Sequence, residues 1–220
     1  MKKIVLFFVL TLCVLNLQAQ KVSILGDSYS TFLGQITPSW NVSWYGEGEK
    51  ENNVKEADQC WWKILLRETG YELDKNNSFS GSTVCYTGYE GKDYTDRAFI
   101  TRMCNLGNPD IILVFGGTND SWANVPIGYY IYDNWTRQQL YSFRPAFCCM
   151  MDYLVKNYPN ARIINICNSE LSPEVTESET EICQHFHIEN ILLQDIEKQW
   201  GHPSQAGMKA IAEQILKILR

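Results

Sequence analysis

Five apolar residues in unbroken succession, Ile111, Ile112, Leu113, Val114 and Phe115, stand between Asp110 and the pair Gly116-Gly117. A continuous apolar strand of this kind is expected where both of its faces are covered, so the chain must supply helices on either side. The rest of the sequence reads that way. Shorter or weaker strands are predicted over 21–25, 71–79, 161–167 and 188–193. Helical spacing is predicted over 60–69 with Gly70 as its stop, 96–106 with Gly107 as its stop, and 137–158, where Pro145 should kink the helix or delay its start. Ser172-Pro173 opens a further helix to about residue 186, with cap and proline in favoured places, and 204–219 is a terminal amphipathic helix. Strands alternating with helices, with few hairpin signals, predict a parallel sheet with helices on both faces.

The first residues are set apart. Met1-Lys2-Lys3 is followed by a nearly all-apolar stretch to Leu15 and by Leu17-Gln18-Ala19, a small-residue cleavage site. This predicts a signal peptide over 1–20, a single domain over 21–220, and export to a periplasmic or extracellular space without stable membrane insertion after cleavage. The formal net charge is −6, becoming more negative without Lys2 and Lys3, and no basic stretch stands out. A nucleic-acid partner is therefore not expected. Of the eight cysteines, seven follow Cys13. An odd number in mostly apolar context favours buried thiols over a disulfide framework, and no CxxC spacing suggests a zinc ribbon. His185-Phe186-His187 is likewise no metal site, because residues two apart do not share a helix face.

Polar residues with chemical potential follow four of the five predicted strands. Gly26-Asp27-Ser28 comes after the first, Ser80-Gly81-Ser82 after the second, Gly117-Thr118-Asn119-Asp120 after the third, and His202-Pro203-Ser204 after the last. In open α/β sheets ligands bind beyond the carboxyl ends of the strands, so Ser28, Gly81, Asn119 and His202 should share one edge. Serine is a poor nucleophile unless a neighbouring base takes its proton. His202, held extended by the following proline, is the candidate base.

At these four blocks the chain resembles the SGNH (GDSL-type) hydrolase family, over nearly its whole mature length. The resemblance implies a three-layer α/β/α sandwich around a central parallel five-stranded sheet of flavodoxin-like topology. It implies Ser28 as nucleophile, His202 as general base, and an oxyanion hole from the backbone N–H groups of Ser28 and Gly81 and the side-chain amide of Asn119. No cofactor and no metal are implied. The expected substrate is a small-molecule or carbohydrate ester, with acetyl esters of carbohydrates preferred over long-chain lipids. A catalytically silent carbohydrate-binding relative and a lysophospholipase or thioesterase are the alternatives. No oligomeric state is read from the sequence.

One position departs from the family pattern. The family usually carries an aspartate three residues before the histidine, and Gln199 stands there instead. Three arrangements are open: a Ser–His dyad with Gln199 or a backbone carbonyl accepting from the ring; Asp195 or Glu197 reaching the ring by another path, with Asp195 preferred because it directly follows the last strand; and a degenerate site. Two aromatic segments are expected to overhang the edge. One carries Tyr29, Phe32, Trp40, Trp44 and Tyr45, and the other Trp122, Tyr129, Tyr130, Tyr132 and Trp135. They either line the cleft or pack long loops onto the domain.

Overall fold

The structure, a computed structural model, describes residues 19–36, 41–46 and 52–219. The apolar leader lies outside them. Strands β1 (Lys21–Gly26), β2 (Glu72–Ser78), β3 (Ile111–Phe115), β4 (Arg162–Cys167) and β5 (Glu189–Leu192) form one sheet in the order β2-β1-β3-β4-β5, with every pair parallel. The α-helices among the described residues are α1 (Trp61–Thr69), α2 (Phe99–Arg102), α3 (Thr118–Trp122), α4 (Phe143–Asn157), α5 (Pro173–His185) and α6 (Gln205–Leu219). A two-stranded antiparallel ladder, β6 (Lys198–Gln199) and β7 (His202–Pro203), precedes α6.

β3 is central, pairing with β1 from Val22 opposite Ile111 to Gly26 opposite Phe115, and with β4 on its other side. Its side chains alternate. Ile111, Leu113 and Phe115 enter a core with Trp61 and Leu65 of α1 and Met208, Ile211 and Ile215 of α6. Ile112 and Val114 enter a second core with Phe99, Phe147, Met150, Leu154 and Ile182 from α2, α4 and α5. All five are buried, which is why the run carries no polar residue. Full burial stabilises each such side chain by roughly 1.5–3 kcal/mol. The edge strand β2 is polar where it is exposed, and its buried end (Asn76, Asn77, Ser78) satisfies its side chains with hydrogen bonds.

Two expected helices are shorter than the spacing suggests. Over 96–106 only Phe99–Arg102 is α-helical, because Asn77 Nδ2 donates to the carbonyls of Arg102 (2.9 Å) and Asn105 (3.1 Å) and draws them out of a continuing helix. α4 begins at Phe143, so Pro145 falls in its first turn, where a missing N–H leaves no bond unmade. Gly70 ends α1 at φ +72° and donates to Leu66 O (2.9 Å), a left-handed cap. Among the described residues every cysteine is a free thiol, with Cys104 exposed and Cys60, Cys85, Cys148, Cys167 and Cys183 buried. No described helix is long and apolar enough to cross a membrane.

The sheet order places β1 between β2 and β3. The chain moves outward from β1 to β2 and then returns across to β3. Connections leaving the carboxyl ends of β1 and β3 therefore diverge, and the crevice between them is where this fold accepts ligands.

Candidate active site

Ser28 starts a 3-10 turn (Ser28–Ser30) directly beyond β1, with Asp27 as its N-cap accepting from Tyr29 N–H at 3.0 Å. Gly26 is required by space. A Cβ there would stand 2.5 Å from Ser78 Oγ and 2.8 Å from Ser30 Oγ, forcing the ends of β1 and β2 apart. Across the cleft, His202 sits on β7, and its Nε2 lies 2.9 Å from Ser28 Oγ although 174 residues separate the two in sequence. Both are almost fully buried.

The hairpin carrying His202 is unusual. Trp200 (φ +54°) and Gly201 (φ +76°) occupy its two central positions, and positive φ at both is what a two-residue type I′ turn needs. The turn directs the Trp200 carbonyl to Nδ1 of His202, 3.2 Å away. A carbonyl only accepts, so this contact assigns the ring proton to Nδ1 and leaves Nε2 to accept from Ser28. Tyr29, the residue after the serine, donates its hydroxyl to Gly201 O at 2.5 Å and ties hairpin to nucleophile turn. The Trp44 ring lies parallel to the imidazole, with centroids 3.4 Å apart and planes 3° apart, while Tyr29 and Trp122 approach it at 5.3 and 5.7 Å.

Asn119 stands in the first turn of α3, after Gly117 at φ +80°. Its amide is oriented from both ends. Oδ1 accepts from Tyr89 OH (2.8 Å), and Nδ2 donates to Ser82 O (3.0 Å) with a longer contact of 3.5 Å to Asp27. Gly81 has φ +76°, and a Cβ there would meet nothing within 4 Å; the left-handed backbone, not crowding, favours glycine. Ser28, Gly81, Asn119 and His202 line one cleft of about 440 Å³ together with Tyr89, Trp44, Trp122 and Trp200.

Buried carboxyls lie beneath it. Asp120 accepts from the N–H groups of Val84 (2.8 Å) and Cys85 (3.3 Å), fastening the α3 turn to the loop after Gly81, and burial pushes its carboxyl up to about 7. Burial likewise raises Asp27 to about 7 and Glu179 to about 8. Hydrogen bonds from Tyr29 N–H and Asn165 Nδ2 pull these two in the opposite direction. Burial also raises the Tyr89 phenol to about 12, so it remains a donor to Asn119.

Two of the expected site residues are not brought to the ring. Asp195 occupies an exposed turn at φ +54° and makes no side-chain hydrogen bond or ion pair among the described residues. Gln199 uses its Oε1 to accept from Asn53 N–H (2.8 Å), bracing the 52–54 loop. Glu197 accepts from Ser204 Oγ at the start of α6. The physical reason is the tight hairpin, which turns a main-chain carbonyl onto Nδ1. In the second aromatic segment most residues take the packing alternative. Only Trp122 faces the cleft, whereas Tyr130, Tyr132 and Trp135 pack on the α4/α5 core, with Tyr132 stacked on His185 at 3.8 Å. Of the first segment, Trp44 lines the cleft, Phe32 and Tyr45 enter the core, and Trp40 is outside the described residues. Tyr89 was missed by sequence reasoning, since a tyrosine between glycines carries no pattern that points to Asn119.

A serine in hydrogen-bond contact with an imidazole, at the switch point of a parallel α/β sheet, defines the class: an α/β protein with a serine-centred hydrolytic site. The chain belongs to the GDSL-like lipase/acylhydrolase family, whose model matches residues 20–219. It is similar to a protein from Bacteroides uniformis ATCC 8492 described as a GDSL-like lipase, with 60% identity and TM-score 0.90, covering 91% of this chain and 95% of that one. A protein of the same description from Bacteroides ovatus ATCC 8483 is 48% identical with TM-score 0.91, covering 92% and 99%. A family two carbohydrate esterase from Clostridium thermocellum, solved with cellohexaose, shares the fold at 16% identity and TM-score 0.59, covering 91% and 63%. No curated protein matches the chain.

Proposed function

We propose that this chain is an exported serine esterase that hydrolyses carboxylic esters, with acetyl groups on carbohydrates as the favoured substrate. One observation carries the reading: Ser28 Oγ lies 2.9 Å from an imidazole nitrogen freed to accept a proton by the carbonyl opposite it. In the first step Ser28 Oγ bonds to the ester carbonyl carbon while its proton passes to His202 Nε2. The oxyanion so formed is held by the N–H groups of Ser28 and Gly81 and by Asn119 Nδ2, which exchanges its long 3.5 Å contact to Asp27 for the oxyanion. Collapse expels the alcohol, which takes the proton from Nε2, and water then releases the acid by the same route. The Trp200 carbonyl stabilises the imidazolium between the two transfers. This arrangement needs no movement of Asp195 or Gln199.

The carbohydrate preference is supported by the rim of the cleft. Trp200 is 71% exposed and Trp122 42%, and both border the site. Flat indole faces in water at a cleft mouth suit the C–H faces of sugar rings. The fold likeness to carbohydrate esterases points the same way.

Labelling with a fluorophosphonate tests the chemistry: rapid modification of the wild type that vanishes in Ser28→Ala is expected. Acetate release from an acetylated oligosaccharide, compared with acetyl and long-chain p-nitrophenyl esters, tests the substrate. A chain that binds oligosaccharide yet is never labelled sinks the enzyme reading in favour of a binding protein. Amino-terminal sequencing of protein recovered outside the cytoplasm tests export.

A further inference from the structure

Resting on that reading, we infer that Arg102 is a positioning residue for the oxyanion hole, fixing the Ser28 turn and the Gly81 turn against each other. The guanidinium projects from the last residue of α2 and packs over Phe99 of the same helix, 4.7 Å from its centroid. It donates to four acceptors. Nε meets Arg97 O at 2.7 Å, Nη1 meets Asn77 O, and Nη2 meets Gly26 O at 3.1 Å and Ser82 Oγ at 2.9 Å.

Three of the four lie where the site is built. Gly26 O is the carbonyl ending β1, two residues before the nucleophile, and it also accepts from Phe79 N–H at 3.1 Å. Asn77 O is near the end of β2, and the Asn77 amide answers by donating to Arg102 O. Ser82 is the residue after Gly81. Its hydroxyl donates to Phe79 O at 2.7 Å while accepting from Arg102, which closes the turn that presents the Gly81 N–H. The Ser82 carbonyl in turn accepts from Asn119 Nδ2. Arg102 is thus bonded to the strand end that leads into Ser28 and, through Ser82, to the Gly81 turn and to Asn119.

Only a planar fork with several fixed donors can hold these acceptors at once. Lysine offers a single charge centre on a flexible stem and cannot span them. No carboxylate lies within ion-pair distance of Arg102 among the described residues. Its partners are main-chain carbonyls and a hydroxyl, which suits a geometric role better than a surface ion pair.

The test compares wild type, Arg102→Met, Arg102→Lys and Ser82→Ala on p-nitrophenyl acetate, with rates expressed per folded molecule from near-UV circular dichroism. Misplacing a reacting geometry by about 1 Å costs roughly a hundredfold in rate. Arg102→Met and Arg102→Lys should therefore lose on the order of ten- to a hundredfold in kcat with KM changed less than about threefold. Ser82→Ala, which removes one of the four Arg102 contacts together with the bond to Phe79 O and leaves the other three, should lose a smaller factor. The pH profile of Arg102→Lys and Ser82→Ala should keep its midpoint, because both retain the positive charge that Asp27 feels and neither touches the Ser28–His202 pair. If Arg102→Met fails to fold, Arg102→Lys and Ser82→Ala carry the comparison. Variants that melt earlier but turn over like wild type per folded molecule overturn the inference and leave the esterase reading intact. A wild type that neither hydrolyses the ester nor takes the fluorophosphonate removes both.

Discussion

Asn119 illustrates how little freedom a single side chain has here. Its amide is clamped by the Tyr89 hydroxyl at Oδ1 and by the Ser82 carbonyl at Nδ2, which also makes a longer 3.5 Å contact to Asp27. Replacing it with alanine should lower kcat roughly a hundred- to a thousandfold while KM stays nearly fixed, measured on a soluble acetyl ester. An effect confined to KM would remove it from the oxyanion hole. Tyr89→Phe deletes only the hydroxyl that orients the amide. A neutral hydrogen bond is worth on the order of 1 kcal/mol, so kcat should fall about fivefold. Ser28, Gly81, Asn119 and His202 were all readable from the sequence, because each follows a strand signal. Tyr89 and the Trp44 stack were not, since their roles depend on loops that fold back from elsewhere in the chain.

Among the elements, the β6–β7 hairpin decides how the histidine is held. Gly201 and Gly70 have nearly the same backbone (φ +76° and +72°), but a Cβ on Gly201 would meet Trp122 at 3.2 Å, and one on Gly70 would meet nothing within 4 Å. Both alanine variants should lose roughly 1–2 kcal/mol from left-handed strain, read by denaturant unfolding. Gly201→Ala should also lose turnover, because the turn that aims the Trp200 carbonyl and is anchored by Tyr29 must shift. Gly70→Ala, at the far end of α1, should keep it. Equal turnover in the two would mean that the hairpin does not govern His202. The helices were legible where a cap marked them, as at Gly70 and Ser172. They were overestimated at 96–106, where Asn77 of another element claims the carbonyls.

For the whole molecule, the buried carboxyls set how stability follows pH. Asp27, Asp120 and Glu179 have folded-state values raised by burial to about 7, 7 and 8. Between their ordinary carboxylate values and these raised ones, the folded protein binds more protons than the unfolded chain. The contribution of these groups is therefore full below about pH 4, under their ordinary values, and is lost as pH rises toward 8. Tm should fall across that window, and Glu179→Gln should flatten part of the decline. A Tm that climbs steadily from pH 5 to 8, or a variant with an unchanged slope, would contradict this assignment.

By itself the sequence determined the layers and the edge. Apolar runs at strand length, helical spacing between them and polar blocks just past the strands leave few other ways to bury the chain, so a parallel sheet covered on both faces and a shared edge for four side chains followed from local pattern, while the sheet topology followed from the family resemblance. Only the tertiary structure decided what faces His202 Nδ1, which aromatic rings border the cleft and which went to the core. Those outcomes turn on hydrogen bonds and stacks between residues dozens to more than a hundred positions apart. Spacing along the chain carries no record of such contacts, because they exist only once the loops have closed over a finished sheet.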